Sequence, residues 1–310
     1  MSKYMVTGGA GFIGSHLAEH LLSEGHEVVV VDNFATGHAH NVAPFASSID
    51  MREIDIRDAD AVADAMQGVE YVFHQAALPS VPRSIDNPRE SNEVNVNGTL
   101  NILIAARDAG VKRVVFAGSS SAYGDVAEEF KREDMRPRVK SPYAAAKVAA
   151  ENYCLVFNEV YDLETVVIRY FNVFGPRQDP NSAYAAVIPL FATAMLDDAR
   201  PIVNGDGTQS RDFTFIANVV SGNMLAMHAE KAPGEVFNIA CGDRITLLQL
   251  IEQLNKLLGK SIEPEFGPPR PGDIMHSRAA IDKARELLKY EPLVNFDEGL
   301  ARTLSYYNSA

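Results

Sequence analysis

The first half of the chain alternates short apolar runs with longer segments in which apolar residues recur at helical spacing. The apolar runs are rich in β-branched residues, as expected of strands that are buried on both faces. We predict six strands, at residues 4–7, 27–31, 50–53, 71–74, 113–117 and 165–168, and two long helices, at residues 90–109 and 142–161. This alternation predicts an α/β fold, a doubly wound parallel sheet with helices on both faces.

The pattern changes after residue 172, where segments punctuated by proline and glycine, FGPRQDPN and FGPPRPGD, separate short helices. These segments predict a smaller lobe that covers a ligand. An apolar run at residues 236–240 follows the Pro233-Gly234 turn and predicts a strand that returns to the sheet. We therefore expect one domain at residues 1–172, with a returning segment around 212–240, and a smaller α/β lobe built from residues 173–211 and 241–310.

Composition narrows the classes of partner. The 41 acidic residues outnumber the 28 lysines and arginines, and the resulting net charge of −13 disfavours a nucleic-acid partner. No apolar run approaches the roughly 18 residues of a membrane span, and the start MSKYMVTGG lacks an apolar signal region. Two cysteines are too few for a disulfide framework, and His38 and His40 have no partnering cluster for a metal. We expect a soluble cytoplasmic protein without nucleic-acid, membrane or metal partners.

A glycine-rich loop follows the first predicted strand directly and opens a helix. Its sequence, GGAGFIG, places Gly8, Gly11 and Gly14 at a spacing that lets the backbone approach a pyrophosphate closely, with Phe12 and Ile13 inside the loop. The N-terminus of the following helix supplies N–H donors and a partial positive charge. The loop therefore predicts a dinucleotide-binding site.

Asp32 closes the second predicted strand, 18 residues after Gly14, where a carboxylate can bond both ribose hydroxyls and repel a 2′-phosphate. The cofactor predicted is therefore NAD rather than NADP, although Asp32 as a plain turn residue is the alternative. Further residues follow the carboxyl ends of the predicted strands and fit the same cofactor groove: Asp55 and Ile56 beside the adenine, and Gln75, Ala76, Ala77 and Asn95 nearer the pyrophosphate and nicotinamide ribose.

Tyr143 and Lys147 form a YxxxK motif near the start of the second long helix, and a spacing of four places both side chains on one helix face. A phenol with an ordinary pKa of about 10 is a weak base at neutral pH, and a neighbouring ammonium stabilises its phenolate. Tyr143 is therefore a candidate proton acceptor. Upstream, the stretch GSSSAYGD brings three serines to a strand end and no acid before Asp125.

Taken together, these motifs resemble the extended short-chain dehydrogenase/reductase family, and within it the nucleotide-sugar 4-epimerases. The resemblance covers essentially the whole chain, through TGGAGFIGSHL, VDNF, DIRD, HQAA, NVNGT, SSSAYGD, SPYAAAK, RYFNVFGPRQDPN, GDGTQSRDF and RPGD, and it is strongest towards enzymes that act on UDP-N-acetylglucosamine. It implies a Rossmann domain with a smaller C-terminal lobe for the sugar nucleotide, tightly held NAD, a UDP-sugar substrate and a homodimer formed through a four-helix bundle. It also implies cofactor contacts at Asn33, Phe34 and Tyr170 as well as at Tyr143 and Lys147.

The serines distinguish epimerases from sister enzymes of the family. The family's 4,6-dehydratases carry Asp-Glu after a strand-end threonine and its decarboxylases carry a glutamate nearby, whereas this chain has Ser120 and Ser121. Simple oxidation and re-reduction at C4 needs only a hydroxyl relay, so the serines indicate epimerisation. The motif alignment places Ser119 at the family's catalytic serine, and Ser120 or Ser121 could share its role. Serines that merely cap the strand end are the alternative.

The family pattern also implies a set of residues that bind the UDP-sugar, with Arg211 and Arg270 on the phosphates. The remaining candidates are Ser119, Ser120, Ser121, Asn172, Ala186, Val187, Pro189, Val203, Asn204, Asp273 and Ser277, with Arg177 as a weaker one. Asp273 binds ribose or only orients Arg270. Ser277 stands where a tyrosine narrows the sugar pocket of strictly glucose/galactose enzymes, so the resemblance implies room for an N-acetyl group.

The sequence thus predicts an isomerase, an NAD-dependent UDP-hexose 4-epimerase that interconverts UDP-GlcNAc and UDP-GalNAc, with UDP-Glc and UDP-Gal as further substrates. A UDP-glucuronate 4-epimerase or another UDP-sugar oxidoreductase of the family is one alternative. A non-catalytic protein that senses NAD is another, from a different functional class.

Overall fold

The computed structural model describes residues 1–181, 186–269 and 275–309. Its strands are β1 (Lys3–Thr7), β2 (Glu27–Asp32), β3 (Asp50–Glu53), β4 (Tyr71–His74), β5 (Arg113–Ser119), β6 (Glu164–Tyr170), β7 (Val173–Phe174), β8 (Ile202–Asn204), β9 (Ser210–Arg211), β10 (Thr214–Phe215), β11 (Val236–Ile239), β12 (Ile245–Thr246) and β13 (Glu265–Gly267). Its α-helices are α1 (Phe12–Ser23), α2 (Ala39–Val42), α3 (Ala59–Ala65), α4 (Val81–Asp86), α5 (Pro88–Asn92), α6 (Thr99–Asp108), α7 (Pro142–Tyr161), α8 (Val187–Leu196), α9 (Ile216–His228), α10 (Leu247–Leu258), α11 (Asp282–Leu288) and α12 (Phe296–Ser309). Two 3₁₀ segments, Ala43–Ser48 and Ser120–Tyr123, and a π-helical segment, Glu93–Gly98, complete the assignment.

Seven strands form one parallel sheet in the order β11-β6-β5-β4-β1-β2-β3. The inner strands are buried almost throughout because helices cover both faces, and two large apolar clusters lie on opposite sides of the sheet. The direction of strand succession reverses between β1 and β4, and ligands of such sheets bind in the crevice outside the carboxyl ends at that point. The predicted fold class, a Rossmann-type sheet, is confirmed.

The helix predicted at residues 142–161 has those bounds in the structure. The helix predicted at 90–109 differs, because the π-helical segment interrupts it between α5 and α6. At this wider turn, the buried Asn95 side chain accepts a hydrogen bond from Leu78 N at 2.8 Å and donates one to Leu78 O at 3.3 Å. The turn thus directs a polar side chain inward to fix the loop that follows β4.

The C-terminal part adds short strand pairs, β7 with β10, β8 with β13, and β9 with β12, around a cluster of aromatic rings. The rings of Phe174, Phe213, Phe215 and Phe296 pack edge to face, tilted or stacked, with 5.6–6.2 Å between ring centroids. The strand β11 lies in the large sheet beside β6. We keep the predicted division into two domains as a proposal. In the part of the chain that the structure describes, no helix combines the length and apolarity needed to cross a membrane.

Candidate active site

The glycine loop lies between β1 and α1, and it is shaped by close backbone contacts. Gly8 has φ +65°, and a Cβ there would lie 2.7 Å from Ala76 N. A Cβ on Gly14 would collide with the carbonyl oxygen of Gly8. No side chain caps the first turn of α1, whose N-cap is Gly11 and whose first residues are Phe12 and Ile13. An uncapped helix start behind a side-chain-free loop is a cradle that fits a pyrophosphate.

Asp32 ends β2 beside this loop, and its carboxylate is buried. It accepts hydrogen bonds from Ala10 N at 2.9 Å and from Phe34 N at 2.8 Å. Burial raises the pKa of Asp32 above its usual value, against the lowering effect of those hydrogen bonds. Gly37 passes so close that a Cβ there would lie 2.8 Å from a carboxylate oxygen. The carboxylate is therefore fixed in place beside the loop, where the hydroxyls of an adenosine ribose suit it.

The residues predicted to lie near the adenine are linked to each other. Asn33 Nδ2 donates to Asp55 at 3.0 Å, and the Arg57 guanidinium bonds both Asp55 oxygens, at 3.0 and 2.6 Å. Hydrogen bonding to Arg57 lowers the pKa of Asp55 to about 2. Ile56 is buried below them. Arg57 was not among the predicted site residues. Its position two residues after Asp55 is the feature of the sequence that could have identified it.

The segment after β4 forms the other half of the crevice. Tyr170 at the end of β6 places its hydroxyl 3.1 Å from Gln75 Oε1 and 3.0 Å from Asn223 Oδ1. Ala76 N donates to the hydroxyl of Thr7 at 3.2 Å, and Ala77 follows it in the same loop. The amide of Asn95 hydrogen-bonds the Leu78 backbone and Ser91, and its predicted contact with the cofactor stays a prediction. Its place in the structure is behind the loop, which it holds.

His74 lies beneath this loop in a chain of hydrogen bonds that sequence reasoning missed. Thr7 Oγ1, which already accepts from Ala76 N, lies 2.6 Å from His74 Nδ1, and Thr99 Oγ1, which donates to Asn95 O, lies 2.9 Å from His74 Nε2. This arrangement assigns Nδ1 as acceptor and Nε2 as donor. Burial, with a smaller contribution from the Lys147 charge, lowers the pKa of His74 to about 3. The ring is therefore neutral. The feature of the sequence that marks His74 is its position as the polar residue that ends the apolar strand YVFH.

Tyr143 and Lys147 lie in the first two turns of α7, which begins at Pro142 after the N-cap Ser141. Lys147 is buried, its ammonium lies 4.4 Å from the centre of the Phe116 ring, and burial lowers its pKa to about 8. No hydrogen-bond acceptor from the described residues reaches this ammonium. A buried ammonium with its donors available fits the ribose hydroxyls of a nicotinamide nucleotide.

The phenol of Tyr143 differs in one respect from expectation. Burial raises its pKa, and the group that lowers it is Ser119 through a hydrogen bond, while the Lys147 charge acts on His74 instead. The Lys147 ammonium lies over the Phe116 ring. Ser119 is therefore the residue that tunes Tyr143 within the protein.

The serine run occupies the carboxyl end of β5, beside Tyr143. Ser119 is the last residue of the strand and the N-cap of the 3₁₀ turn, and Ser121 bonds its hydroxyl through both N and Oγ. The side chain of Ser120 makes no hydrogen bond to the described residues. The first acid after the serines, Asp125, is exposed and pairs with Lys140 at 3.2 Å. It therefore does not take the place of the acids that dehydratases carry after their strand-end threonine.

A cavity of about 250 Å³ lies between β7, α8, β8 and β9. Its walls include five of the residues predicted to bind substrate: Asn172, Ala186, Val187, Asn204 and Arg211. The wall residues that were not predicted include Phe191, Gln209, Phe213 and Leu247. Apolar rings and aliphatic side chains with a few polar groups suit a nucleoside.

Three polar residues of this cavity are fixed by neighbouring backbone. Asn172 has φ +32° and donates to Asp212 O at 3.3 Å, while Arg211 Nη1 donates to Ser210 O at 2.9 Å and to Met275 O at 3.3 Å. Gln209 donates to Asn204 O at 2.6 Å. Preset side chains of this kind lower the entropy cost of holding a ligand.

The other predicted substrate residues lie outside the walls of this cavity. Pro189 and Val203 are buried behind it, and Ser277 is next to it, with Ser277 N donating to Ser210 O at 3.1 Å. Arg270 and Asp273 lie outside the described residues, so their predicted roles remain predictions. Arg177 is bound to Glu19 at 2.6 Å and lies over the Phe45 ring.

Comparisons with known proteins agree with this geometry. The family model described as the NAD dependent epimerase/dehydratase family matches residues 4–240. UDP-glucose 4-epimerase of Mycolicibacterium smegmatis is 39% identical over 311 residues, which cover 99% of each chain. The structure of UDP-glucose 4-epimerase from Thermotoga maritima with UDP-glucose has a TM-score of 0.94 at 37% identity and 99% coverage of both chains.

A further solved structure carries a different substrate name. UDP-N-acetylglucosamine 4-epimerase from Methanobrevibacter ruminantium, in complex with UDP-N-acetylmuramic acid, has a TM-score of 0.95 at 37% identity, covering 99% of this chain and 98% of that one. These similarities confirm the predicted enzyme class, an isomerase, and the predicted NAD cofactor. By sequence and by structure, the chain belongs to the NAD dependent epimerase/dehydratase family, among its UDP-sugar 4-epimerases.

Proposed function

We propose that this enzyme interconverts UDP-GlcNAc with UDP-GalNAc and UDP-Glc with UDP-Gal by inverting the hexose at C4. The observation that carries the proposal is the grouping of Ser119, Tyr143 and Lys147 at the carboxyl end of β5, with the glycine loop and Asp32 on the same edge of the sheet. Asp125, the first acid after the serines, is exposed and bound to Lys140. This arrangement supports proton and hydride transfer at one sugar carbon.

In the proposed reaction, NAD held in the crevice beside the glycine loop and Asp32 would supply a hydride acceptor, and then a hydride donor, for the sugar C4. Tyr143 takes the proton from O4 as the sugar is oxidised and gives a proton back to O4 as the 4-keto sugar is reduced. Ser119 hydrogen-bonds the phenol, and so lowers the free-energy cost of forming the phenolate in its buried position. Lys147 would hold the cofactor ribose through its buried ammonium, whose donors have no acceptor among the described residues.

Inversion requires the 4-keto sugar to turn over between the two transfers, so the binding energy has to reside in the nucleotide. The cavity of about 250 Å³ supplies such a grip. We propose that the uridine lies against Phe191, Phe213 and Asn204, and that Arg211 and Asn172 bind the diphosphate. Arginine suits the diphosphate because its fork matches phosphate oxygens. The hexose then meets fewer fixed groups than the nucleotide does.

The small side chain of Ser277 supports the acceptance of N-acetylated sugars. The backbone N–H of Ser277 donates to Ser210 O on β9, which holds this residue beside the nucleotide cavity. The short side chain of Ser277 is half-buried there. A small residue here leaves room at C2 for an acetamido group. The name of the Methanobrevibacter ruminantium enzyme, which shares this architecture, supports the same substrate class.

We also propose a cytoplasmic homodimer. Apolar side chains stay exposed along α7 and on the neighbouring α6, at Tyr153, Val156 and Val160 and at Ile104, although these helices also carry buried faces. A face of this kind on two adjacent helices suits a bundle with the same helices of a second subunit. Two unpaired thiols, Cys154 and Cys241, suit a reducing compartment.

The proposal is tested by incubating the purified protein, without added NAD, with UDP-GlcNAc, UDP-Glc and UDP-glucuronate separately, and following the ratio of C4 epimers by NMR. We expect epimerisation of the first two, because the cofactor is regenerated in every turnover. Tyr143→Phe should abolish turnover and leave UDP binding nearly unchanged. Product formed only with stoichiometric consumption of NAD would identify a dehydrogenase, turnover of UDP-glucuronate alone would overturn the proposed substrates, and absence of turnover with all three would favour an NAD sensor.

A further inference from the structure

Ser119 is bound by Ser121 through two separate hydrogen bonds. Ser121 N lies 3.2 Å from Ser119 Oγ, because Ser119 is the N-cap of the 3₁₀ turn that follows β5. Ser121 Oγ lies 2.8 Å from the same oxygen and donates to it. The first contact orients the Ser119 side chain, and the second adds a hydroxyl that can act as donor or acceptor.

These contacts determine where the proton of the Ser119 hydroxyl can be donated. A serine hydroxyl has two acceptor lone pairs and one proton. Both lone pairs are occupied when Ser121 donates through N and Oγ, so the proton of Ser119 has to be donated outward. Tyr143 also hydrogen-bonds Ser119, and this bond lowers the pKa of the phenol, so the phenolate is the acceptor available to that proton. The chain of hydroxyls therefore runs from Ser121 to Ser119 to Tyr143.

We propose that Ser121 is a positioning residue for the proton transfer at O4, which sets Ser119 as a hydrogen-bond donor while Tyr143 is a phenolate. The inference rests on the proposed epimerase function. When Tyr143 holds the proton, the chain reverses, so that Tyr143 donates to Ser119 and Ser119 donates to Ser121. Only the hydrogen-bond directions change, and the one proton that is exchanged passes between the sugar O4 and Tyr143. Ser121 stabilises both directions because its hydroxyl can donate or accept.

Ser120 provides a matched comparison on the same strand end. Its side chain has no hydrogen bond to the described residues, while Ser121 has one of 2.8 Å to Ser119. Ser121→Ala removes the far end of the hydroxyl chain and keeps the backbone donor of the turn. Ser121→Thr keeps a hydroxyl at that position. The three variants Ser120→Ala, Ser121→Ala and Ser121→Thr therefore separate loss of a hydroxyl in general from loss of this one.

The experiment measures kcat, KM and the pH dependence of kcat/KM for UDP-Glc in the holoenzyme. In Ser121→Ala we expect kcat to fall about tenfold and the acidic limb of the profile to move about one pH unit upward, since one unit of pKa corresponds to a factor of ten. Ser121→Thr should restore most of kcat. Ser120→Ala should leave the acidic limb in place, whatever its effect on KM.

A second readout does not depend on turnover. The near-UV titration of each variant, minus that of its Tyr143→Phe counterpart, reports the ionisation of Tyr143, and it should shift upward in Ser121→Ala. An unshifted titration together with an unshifted pH profile in Ser121→Ala would overturn the inference, as would a loss of kcat in Ser121→Thr equal to that in Ser121→Ala. If the wild-type protein epimerises no UDP-sugar, the proposed function fails, and the titration alone decides whether Ser121 acts on Tyr143.

Discussion

Arg169 on β6 and Glu151 on α7 form a buried ion pair, with Arg169 Nε 3.0 Å from one carboxylate oxygen and side chains that are only 3% and 6% exposed. Glu151 follows Lys147 by four residues on the same helix, and Arg169 pairs in register with Gly118, next to Ser119. The pair therefore fastens the helix that carries Tyr143 and Lys147 to the strands that carry the serines. It also places a negative charge that raises the pKa of Lys147 against the larger effect of burial.

Replacing Glu151 by glutamine should strongly destabilise the protein, because it leaves the Arg169 guanidinium buried without its counter-charge. We expect the free energy of unfolding to fall by about 3–5 kcal/mol, as measured by urea denaturation. The exposed pair of Arg302 and Glu298 on α12 is the control, and Glu298→Gln should cost less than about 0.5 kcal/mol. Equal effects at the two sites would contradict the structural role given to the buried pair.

The buried neutral ring of His74 should make the protein sensitive to acid. Its folded pKa of about 3 lies below the unfolded value of 6.5, so its contribution to stability is complete above pH 6.5 and is lost as the pH falls towards 3. The loss amounts to about 1.4 kcal/mol per pH unit. The difference in unfolding free energy between wild type and His74→Gln should therefore shrink by about 2 kcal/mol between pH 7 and pH 5.

Asp32 should control the choice between the two nicotinamide dinucleotides. Asp32→Asn removes the charge that repels a 2′-phosphate, and it turns an amide N–H₂ towards Ala10 N or Phe34 N, which now donate to the carboxylate. We expect the preference for NAD over NADP to fall at least tenfold, by analogy with other losses of one charged contact. The measurement is the identity and amount of nucleotide released from purified, denatured protein. Asp125→Asn is the control, and an unchanged nucleotide content in Asp32→Asn would exclude the assigned role.

Enlarging Ser277 should separate the two classes of hexose. Ser277→Tyr fills the proposed space for the acetamido group, so kcat/KM for UDP-GlcNAc should fall about 10–200-fold relative to that for UDP-Glc. Ser277→Ala keeps the space and should preserve the ratio. Initial rates with both substrates, measured by the epimer ratio in NMR spectra, decide the question. A ratio unaffected by the tyrosine would place the N-acetyl group elsewhere.

Local sequence signals located the edge of the sheet at which the candidate site lies. The glycine loop, Asp32, the serine run and the YxxxK pair each combine residues within a few positions of one another, and secondary structure alone then brings them to the carboxyl ends of parallel strands. The hydrogen-bond chain through Thr7, His74 and Thr99 had no such signal, because its members are 25 and 67 residues apart in sequence. Their contact exists only once β1, β4 and α6 have packed together.

The direction of individual side chains was also beyond the sequence. The sequence predicts Asn95 as a cofactor contact, and in the structure the π-helical turn directs its amide to the Leu78 backbone. Spacing within YxxxK put Lys147 on the same helix face as Tyr143, and packing then directed the ammonium to the Phe116 ring. Periodicity predicts which face a residue occupies, and the atoms that it meets there depend on neighbours from other elements.

The wide turn at Glu93–Gly98 has an effect on the rest of its helix. A π-helical turn accommodates about one residue more than an α-helical turn, and in an α-helix one residue corresponds to a rotation of about 100°. The turn therefore sets which face of α6 points into the core. Ile102 and Leu103 lie in the core, and Ile104 is exposed. Deletion of a single residue in the turn would rotate the exposed face of α6, which carries Ile104, away from the exposed face of α7. It would also withdraw the Asn95 side chain from Leu78 in the loop that follows β4. The outward face of α6 and the position of the loop after β4 thus depend on the same turn.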